Sequence, residues 1–159
     1  MRFPGIISTL NDTPAEALRL PFEPHMVRVP AGKFLMGTSP EHAQRVLKET
    51  DNDKDWKRWL KDEQPQHELE LPEYAIGKYP ITNREYQVFI REAKYSPPDG
   101  WNGDEYLSEK GDHPMLNVSW QDVQQYCQWL SQKTGKAYRL PTEAEWEKAA
   151  RGMDGRVFP

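Results

Sequence analysis

The sequence of 159 residues has little cysteine and no long apolar run. Its single cysteine, Cys127, excludes an intrachain disulfide and a zinc site built from several cysteines, which agrees with a reducing compartment. The amino-terminal stretch contains Pro4 and Pro14 and no apolar run long enough for a signal peptide or a membrane span. We therefore expect a soluble, cytoplasmic protein.

An excess of positive charge is also absent. The chain carries 21 Lys and Arg against 25 Asp and Glu, for a net charge of −4, and no basic stripe with interleaved aromatics. Nucleic acid is therefore not an expected partner, because binding a phosphate backbone requires such a surface. A P-loop, a nucleophile elbow and a dinucleotide fingerprint are missing as well. The histidines are scattered, without the pair at helical spacing that would suggest a non-haem iron site: His25, His42, His67 and His113.

Aromatic residues, in contrast, are plentiful. Six Trp, seven Tyr and five Phe supply large core side chains to a chain whose length suits one domain. We interpret residues 1–25, which are rich in proline and have no period, as a leader or linker. The core is then predicted to begin at Met26, and the domain to occupy residues 26–159.

Periodicity predicts short strands and helices along this domain. Apolar and polar residues alternate at 26–29, at 33–36 and at 68–77, where Pro72 interrupts the strand. The charged stretch 39–64 predicts one or two short amphipathic helices. Their charges are interpreted as a solvated face, with a docking surface as the alternative. The stretch from Tyr95 to Pro114 is predicted to be a long ordered loop or a flap, anchored by Trp101.

Three predicted helices begin with a hydroxyl residue that an acid follows three positions later, which is the capping-box pattern. Two of them end at a glycine, which can adopt the left-handed conformation that stops a helix. The pairs are Thr82 with Glu85, Ser119 with Asp122, and Thr142 with Glu145; the glycines are Gly135 and Gly152.

Residues 139–152, RLPTEAEWEKAARG, contain three glutamates at alternate positions. Glu145 is explained as a helix cap, Glu147 can pair with Arg151, and Glu143 gains from the helix dipole. Catalytic carboxylates need surroundings that separate their pKa values, and this pattern does not show them. We therefore interpret the glutamates as structural. The predicted buried face of this helix consists of Trp146, Ala149 and Ala150.

Three segments in this order, VPAGKFLMG, YPITNREYQVF and HPMLNVSWQDVQQYCQWLSQKTGKAYRLPTEAEWEKAARG, resemble the formylglycine-generating enzyme family, also called the sulfatase-modifying factor domain. The resemblance covers about Met26 to Pro159. It implies an α+β fold related to C-type lectins, with little regular secondary structure, that is incomplete here. The motif residues, all read as structural, are Thr82, Glu85, Ser119, Trp120, Cys127, Trp129, Arg139, Pro141, Thr142, Glu145, Trp146, Arg151 and Gly152.

The resemblance also implies an activity. Family enzymes oxidise a cysteine of a client protein to formylglycine with a cysteine pair, copper and oxygen, and complete members hold structural calcium. The cysteine pair and the calcium segment belong to the carboxy-terminal part of the family domain, and neither occurs here. Cys127 matches a structural cysteine on an apolar helix face. We assign no catalytic, cofactor-binding or metal-binding residue.

Two functions follow from this resemblance. In the first, the chain is the amino-terminal portion of an oxidase-like domain, inactive as it stands, whose partner is a complementary carboxy-terminal segment or a client protein. In the second, it is a non-catalytic lectin-like binding or protein-interaction module.

Overall fold

The computed structural model describes residues 5–8, 19–51 and 53–152. These residues form two compact units, where the chain length predicts one domain. The first unit is drawn from Met1–Pro30 and Glu73–Thr142, and the second from Ala31–Pro72 and Glu143–Pro159. The domain boundary at residue 25 stays a prediction.

Short strands and short helices alternate along the described chain. Ser108–Lys110 adds one 3₁₀ turn. In chain order the elements are β1 (Ile7–Ser8), β2 (Met26–Val29), β3 (Gly32–Met36), α1 (Pro40–Glu49), α2 (Lys54–Asp62), β4 (His67–Leu71), β5 (Tyr74–Gly77), α3 (Asn83–Ala93), α4 (Trp120–Thr134), β6 (Tyr138–Arg139) and α5 (Glu143–Arg151).

The first unit contains an antiparallel sheet with the strand order β2-β5-β1-β6. Ile7 of β1 lies opposite Ile76 of β5 on one side and Arg139 of β6 on the other. Ile6 and Ile7 are each only 2% exposed. The prediction that the core begins at Met26 is therefore wrong, because a strand of two residues is too short to show alternation in the sequence.

Both helices of the first unit begin as the sequence predicts. The hydroxyl of Thr82 accepts a hydrogen bond from the backbone N–H of Glu85, whose carboxylate accepts one from the N–H of Thr82. Ser119 and Asp122 form the same capping box at the start of α4. Gly135 then ends α4 with a φ of 70°. These caps satisfy backbone donors that a helix start leaves free.

The loop between α3 and α4 is ordered and is held by aromatic and charged side chains. The ring of Trp101 lies 6.5 Å from that of Tyr86 and 5.4 Å from that of Tyr106. Arg91 of α3 pairs with Asp104 at 2.7 Å and also with Glu105. The predicted anchoring by Trp101 is confirmed.

The second unit contains the antiparallel pair β3 and β4, the helices α1 and α2, and α5. α1 and α2 pack through the buried side chains of Ala43, Val46 and Leu60. Most of their charged residues are exposed, and so is Trp59, at 54%. Two short amphipathic helices with a solvated charged face are thus confirmed, and a docking role for that face stays a prediction.

The α5 helix has the predicted bounds but a different buried face. It starts at Glu143, directly after Thr142, and Gly152 follows its end with a φ of 71°. Its most buried side chains are Glu145, 7% exposed, and Lys148, 1% exposed. The predicted apolar face is only partly buried. The prediction from apolar spacing fails here because charged side chains of this helix make hydrogen bonds to the backbone of its own unit.

Candidate functional site

Cys127 lies on α4 inside the apolar cluster of the first unit. Its side chain is 5% exposed and belongs to the same cluster as Tyr126 and Leu130. Burial raises the pKa of the thiol to about 11, so it stays protonated at neutral pH. Because the thiolate is the form that attacks electrophiles and binds metals, this position suits a core residue rather than a nucleophile.

A polar groove of about 270 Å³ lies beside this thiol, between α4 and β6. Gln124 and Gln128 line it from the helix, and Arg139 lines it from the strand. The guanidinium of Arg139 donates a hydrogen bond to the carbonyl oxygen of Leu140 at 3.0 Å. Cys127 also lines this groove, although only 5% of the residue is exposed.

The copper and calcium of complete family members do not fit the residues described here. Among residues 5–8, 19–51 and 53–152, no group of three or more His, Cys, Asp or Glu side chains is placed to hold a metal ion. Cu(I) selects soft thiolate ligands, and the one thiol of the chain is buried and protonated.

Glu147 of RLPTEAEWEKAARG has a structural explanation in the second unit. One carboxylate oxygen of Glu147 accepts hydrogen bonds from the backbone N–H of Gly37 at 2.7 Å and from Arg151 at 2.6 Å. Arg151 also donates to the carbonyl oxygen of Gly37 at 2.7 Å. The pair predicted from the sequence therefore exists, and it fixes the residue that follows β3.

Gly37 is a residue whose role the sequence analysis missed. Its φ is 85°, and a β-carbon added there would lie 2.5 Å from the carbonyl oxygen of Glu63. Thr38, the next residue, donates to the same carbonyl from its backbone N–H at 2.8 Å. Only glycine fits this backbone without movement. The sequence feature that could have indicated this role is the position of Gly37 directly after a predicted strand.

Lys148 is a second residue that the sequence analysis missed. Its ammonium group donates a hydrogen bond to the carbonyl oxygen of Gly32, the first residue of β3, at 2.9 Å. Burial lowers the pKa of Lys148, and the charge of Glu70 opposes that shift. Lys148 and Arg151 of α5 thus hold the two ends of β3, which no periodicity in the sequence reveals.

Glu23 is a third missed residue, in the stretch that the sequence analysis interpreted as a leader. The carboxylate is buried in the first unit and accepts hydrogen bonds from Tyr138 and Lys136, both at 2.5 Å. Burial alone would raise the pKa of Glu23, but the hydrogen bonds from Lys136, Tyr138 and the backbone of Leu20 outweigh it and lower the pKa. This carboxylate joins the segment before β2 to β6.

A small apolar cavity of about 30 Å³ also lies in the first unit. It can hold about two water molecules or the tip of one apolar side chain. Tyr126 lines it, and within the described part of the chain the Tyr126 hydroxyl is buried without a hydrogen-bond partner. The other lining residues are Ile6, Pro80, Ile81, Tyr86, Met115, Val118 and Val123.

The sequence profile of the sulfatase-modifying factor enzyme 1-like domain matches residues 12–159. The chain belongs to this family. A solved structure of PvdO from Pseudomonas aeruginosa is 28% identical, with a TM-score of 0.67, and the match covers 88% of this chain and 52% of that one. The α+β, formylglycine-generating-enzyme-like fold expected from the motifs is thereby confirmed.

Curated relatives of the sulfatase-modifying factor family differ in the activity their names state. Inactive C-alpha-formylglycine-generating enzyme 2 of Mus musculus is 29% identical over 86% of this chain and 51% of its own length. Formylglycine-generating enzyme of Bos taurus is 27% identical over 84% and 41%. Hercynine oxygenase of Mycolicibacterium smegmatis is 27% identical over 77% and 30%. The chain thus spans about half or less of the length of these relatives.

The family motif residues fall into both compact units. Those of the first unit lie at the starts of α3 and α4, in the apolar core, or in and after β6: Thr82, Glu85, Ser119, Trp120, Cys127, Trp129, Arg139, Pro141 and Thr142. Those of the second unit belong to α5 and its end: Glu145, Trp146, Arg151 and Gly152. Thr82, Glu85, Ser119 and Arg151 make hydrogen bonds to the backbone, and Cys127 and Trp129 lie in the core. Trp120 is 61% exposed. The structural roles of the other motif residues, and the roles of all of them in a complete protein, stay predictions.

Proposed function

We propose that this chain is a scaffold portion of a sulfatase-modifying factor domain and carries out no cysteine oxidation by itself. The observation that carries the proposal is the state of Cys127. Its thiol is 5% exposed within an apolar cluster, and burial raises its pKa to about 11. A protonated core thiol provides neither a nucleophile nor a soft metal ligand.

The acidic residues of the longest family motif support the same proposal. Glu147 accepts hydrogen bonds from Gly37 and Arg151, so its carboxylate already has two structural partners. Glu145 is 7% exposed and engaged in interactions of its own. General acid or base catalysis requires a carboxyl group within hydrogen-bond reach of the substrate proton, whereas Glu147 is bound to Gly37 and Arg151 and Glu145 is buried.

The activity of a whole protein containing this chain is also part of the proposal. We assign it to the oxidoreductase type, with the chemistry supplied by a complementary carboxy-terminal segment, and we place it in the cytoplasm because the chain has a single cysteine. Within the part of the chain that the structure describes, no helix is both long and apolar enough to cross a membrane.

The second candidate is a non-catalytic binding or protein-interaction module. Two observations favour it: relatives from Mus musculus and Bos taurus are named as inactive enzymes, and Trp120 at the start of α4 is 61% exposed. A self-contained module should be monomeric, melt cooperatively and bind little hydrophobic dye. A scaffold portion should instead bind the dye or self-associate.

The direct test is incubation of the purified chain with a cysteine-containing client peptide, with and without copper. Mass spectrometry should show an unchanged peptide mass, while bovine formylglycine-generating enzyme in a parallel reaction provides the positive control. A Cys127→Ser variant should give the same result as the native chain. Conversion to the aldehyde that disappears in Cys127→Ser would contradict the proposal.

A further inference from the structure

The loop between α3 and α4 contains a tight turn with an Asn-Gly sequence. Asn102 and Glu105 are paired by two backbone hydrogen bonds, at 2.9 Å and 3.2 Å, and Gly103 and Asp104 connect them. Gly103 occupies the first central position with a φ of 62°, where a hairpin turn of this kind favours glycine. Asn102 and Gly103 are both exposed. The turn therefore presents an Asn-Gly peptide bond to solvent.

The two groups that react with each other in an Asn-Gly sequence have no other partner here. Among the described residues, neither the side-chain amide of Asn102 nor the backbone N–H of Gly103 makes a hydrogen bond. Gly103 has no β-carbon to shield its nitrogen, and the space that such a carbon would occupy is open. The other described asparagines lack this combination, since Asn83 is buried and Asn117 is followed by the β-branched Val118.

We propose that Asn102 is a modification site, at which the folded chain deamidates without an enzyme. The backbone nitrogen of Gly103 gives its proton to a base in solution and forms a bond to the side-chain carbonyl carbon of Asn102. The bond between that carbon and the amide nitrogen breaks, ammonia leaves, and a cyclic succinimide remains. Water then adds to either carbonyl carbon of the ring, whose opening gives aspartate or isoaspartate without oxidation or reduction. This inference is independent of the proposed function.

The isoaspartate product disrupts the turn that α3 holds. Its backbone runs through the former side chain, and the carbonyl of Asn102 that accepts the N–H of Glu105 becomes part of a free carboxylate. This carboxylate adds negative charge beside Asp104 and Glu105, which both pair with Arg91 of α3. Exposed ion pairs of this kind contribute little stability by themselves, so they cannot restore the turn. Isoaspartate at position 102 should therefore loosen the turn, whereas aspartate keeps the normal backbone.

The test is ageing of the purified native chain in warm, mildly alkaline buffer, followed by tryptic digestion and mass spectrometry. The peptide of residues 95–110 should gain the small mass that replacement of an amide by an acid brings. Electron-transfer fragmentation should locate isoaspartate at position 102 and distinguish it from isomerisation of Asp99, which precedes Gly100. The exposed Asn117 is the internal control. Deamidation at Asn102 should be at least about tenfold faster, a difference of about 1.4 kcal/mol in activation free energy.

Two variants test the chemistry and its consequence separately. Gly103→Ala should slow deamidation at Asn102 by at least about tenfold, because the added methyl group shields the attacking nitrogen. Asn102→Gln keeps an amide whose longer side chain closes a ring less readily, so it should form no isoaspartate. In hydrogen exchange, the backbone amide of Glu105 should exchange faster in the aged native chain than in the aged Asn102→Gln chain.

Each part of the inference has an outcome that overturns it. Deamidation at Asn102 that is no faster than at Asn117, or equally fast in Gly103→Ala, would overturn the modification site. Isoaspartate at position 102 without faster exchange at Glu105 would overturn the loosening of the turn. None of these results bears on the proposed function, which fails only through turnover that depends on Cys127.

Discussion

Each of the two compact units is stabilised internally by a different kind of interaction. In the first, aromatic rings pack against one another, with Phe89 lying 5.6 Å from both Tyr126 and Trp129. In the second, the buried apolar cluster of Ala43, Val46 and Leu60 is small, and charged side chains of α5 bind the backbone at both ends of β3.

This difference determines what a mutation does in each unit. Apolar burial has no direction and scales with area, so the first unit should lose stability in proportion to the side-chain volume removed. Hydrogen bonds to buried backbone depend on geometry, so the second unit should respond to small changes at the few residues that make them. Single substitutions in each unit therefore test this difference.

The largest effect is expected for Phe89→Ala in the first unit. Phe89 is 1% exposed and contacts the rings of Tyr86, Tyr95, Tyr126 and Trp129. Its removal should lower the free energy of unfolding by about 3 to 5 kcal/mol, measured by urea denaturation with circular dichroism. The control Tyr79→Ala, at a residue 59% exposed, should change it by less than about 0.5 kcal/mol. Similar losses for both variants would contradict an aromatic core.

The next effect is expected for Gly37→Ala in the second unit. The new β-carbon would meet the carbonyl oxygen of Glu63, and the alanine would have to keep the positive φ of Gly37. The free energy of unfolding should therefore fall by about 2 to 3 kcal/mol. The matched control is Gly103→Ala, where φ is +62° but the space is open, and the loss should be about 1 kcal/mol. Equal losses at the two glycines would show that the contact with Glu63 is unimportant.

A pH-dependent effect of about 2 kcal/mol is expected for Glu23→Gln at neutral pH, from the loss of charged hydrogen bonds to Lys136 and Tyr138. Because the folded pKa lies below the ordinary 4.5, the stabilisation is fully present above that pH and is lost as the pH falls through the lowered pKa. The difference between native chain and variant should therefore vanish in acid.

A surface carboxylate provides the control for this pH dependence. Glu73 forms an exposed ion pair with Arg28, and Glu73→Gln should change the unfolding free energy by no more than about 0.5 kcal/mol. Thermal melts of both variants from neutral to acid pH provide the comparison. A Glu23→Gln variant as stable as the native chain at neutral pH would show that the buried Glu23 carboxylate does not stabilise the fold.

The smallest effect is expected for Ser119→Ala, which removes one acceptor of the capping box at α4. The free energy of unfolding should fall by about 1 kcal/mol. Thr142→Ala should cost a similar amount if Thr142 caps α5, as the sequence predicts. If Ser119→Ala lowers the free energy of unfolding and Thr142→Ala does not, the capping-box prediction holds for α4 and fails for α5.

The sequence predicted the parts of the fold that depend on local pattern. The capping boxes at Thr82 and Ser119 and the stop at Gly135 needed only residues a few positions apart. The ordered loop with Trp101 as its anchor followed from an aromatic residue among chain breakers. Such features are readable because the interacting groups are close in the chain.

The parts that the sequence did not predict depend on contacts between distant residues. Glu23 meets Tyr138, and Lys148 meets Gly32, across more than a hundred residues of chain. No period or spacing records such pairs. The core position of Ile7 was missed for a similar reason, since its strand is defined by β5 and β6 and not by its own pattern.

The reactivity of Cys127 in the native chain tests the central claim most directly. Labelling with a chromogenic disulfide reagent should be much slower in buffer than in denaturant, and the native rate should keep rising as the pH approaches about 11, the raised pKa of the thiol. Native labelling as fast as in denaturant, or levelling near the ordinary pKa of 9.0, would show an accessible thiolate and contradict the scaffold account.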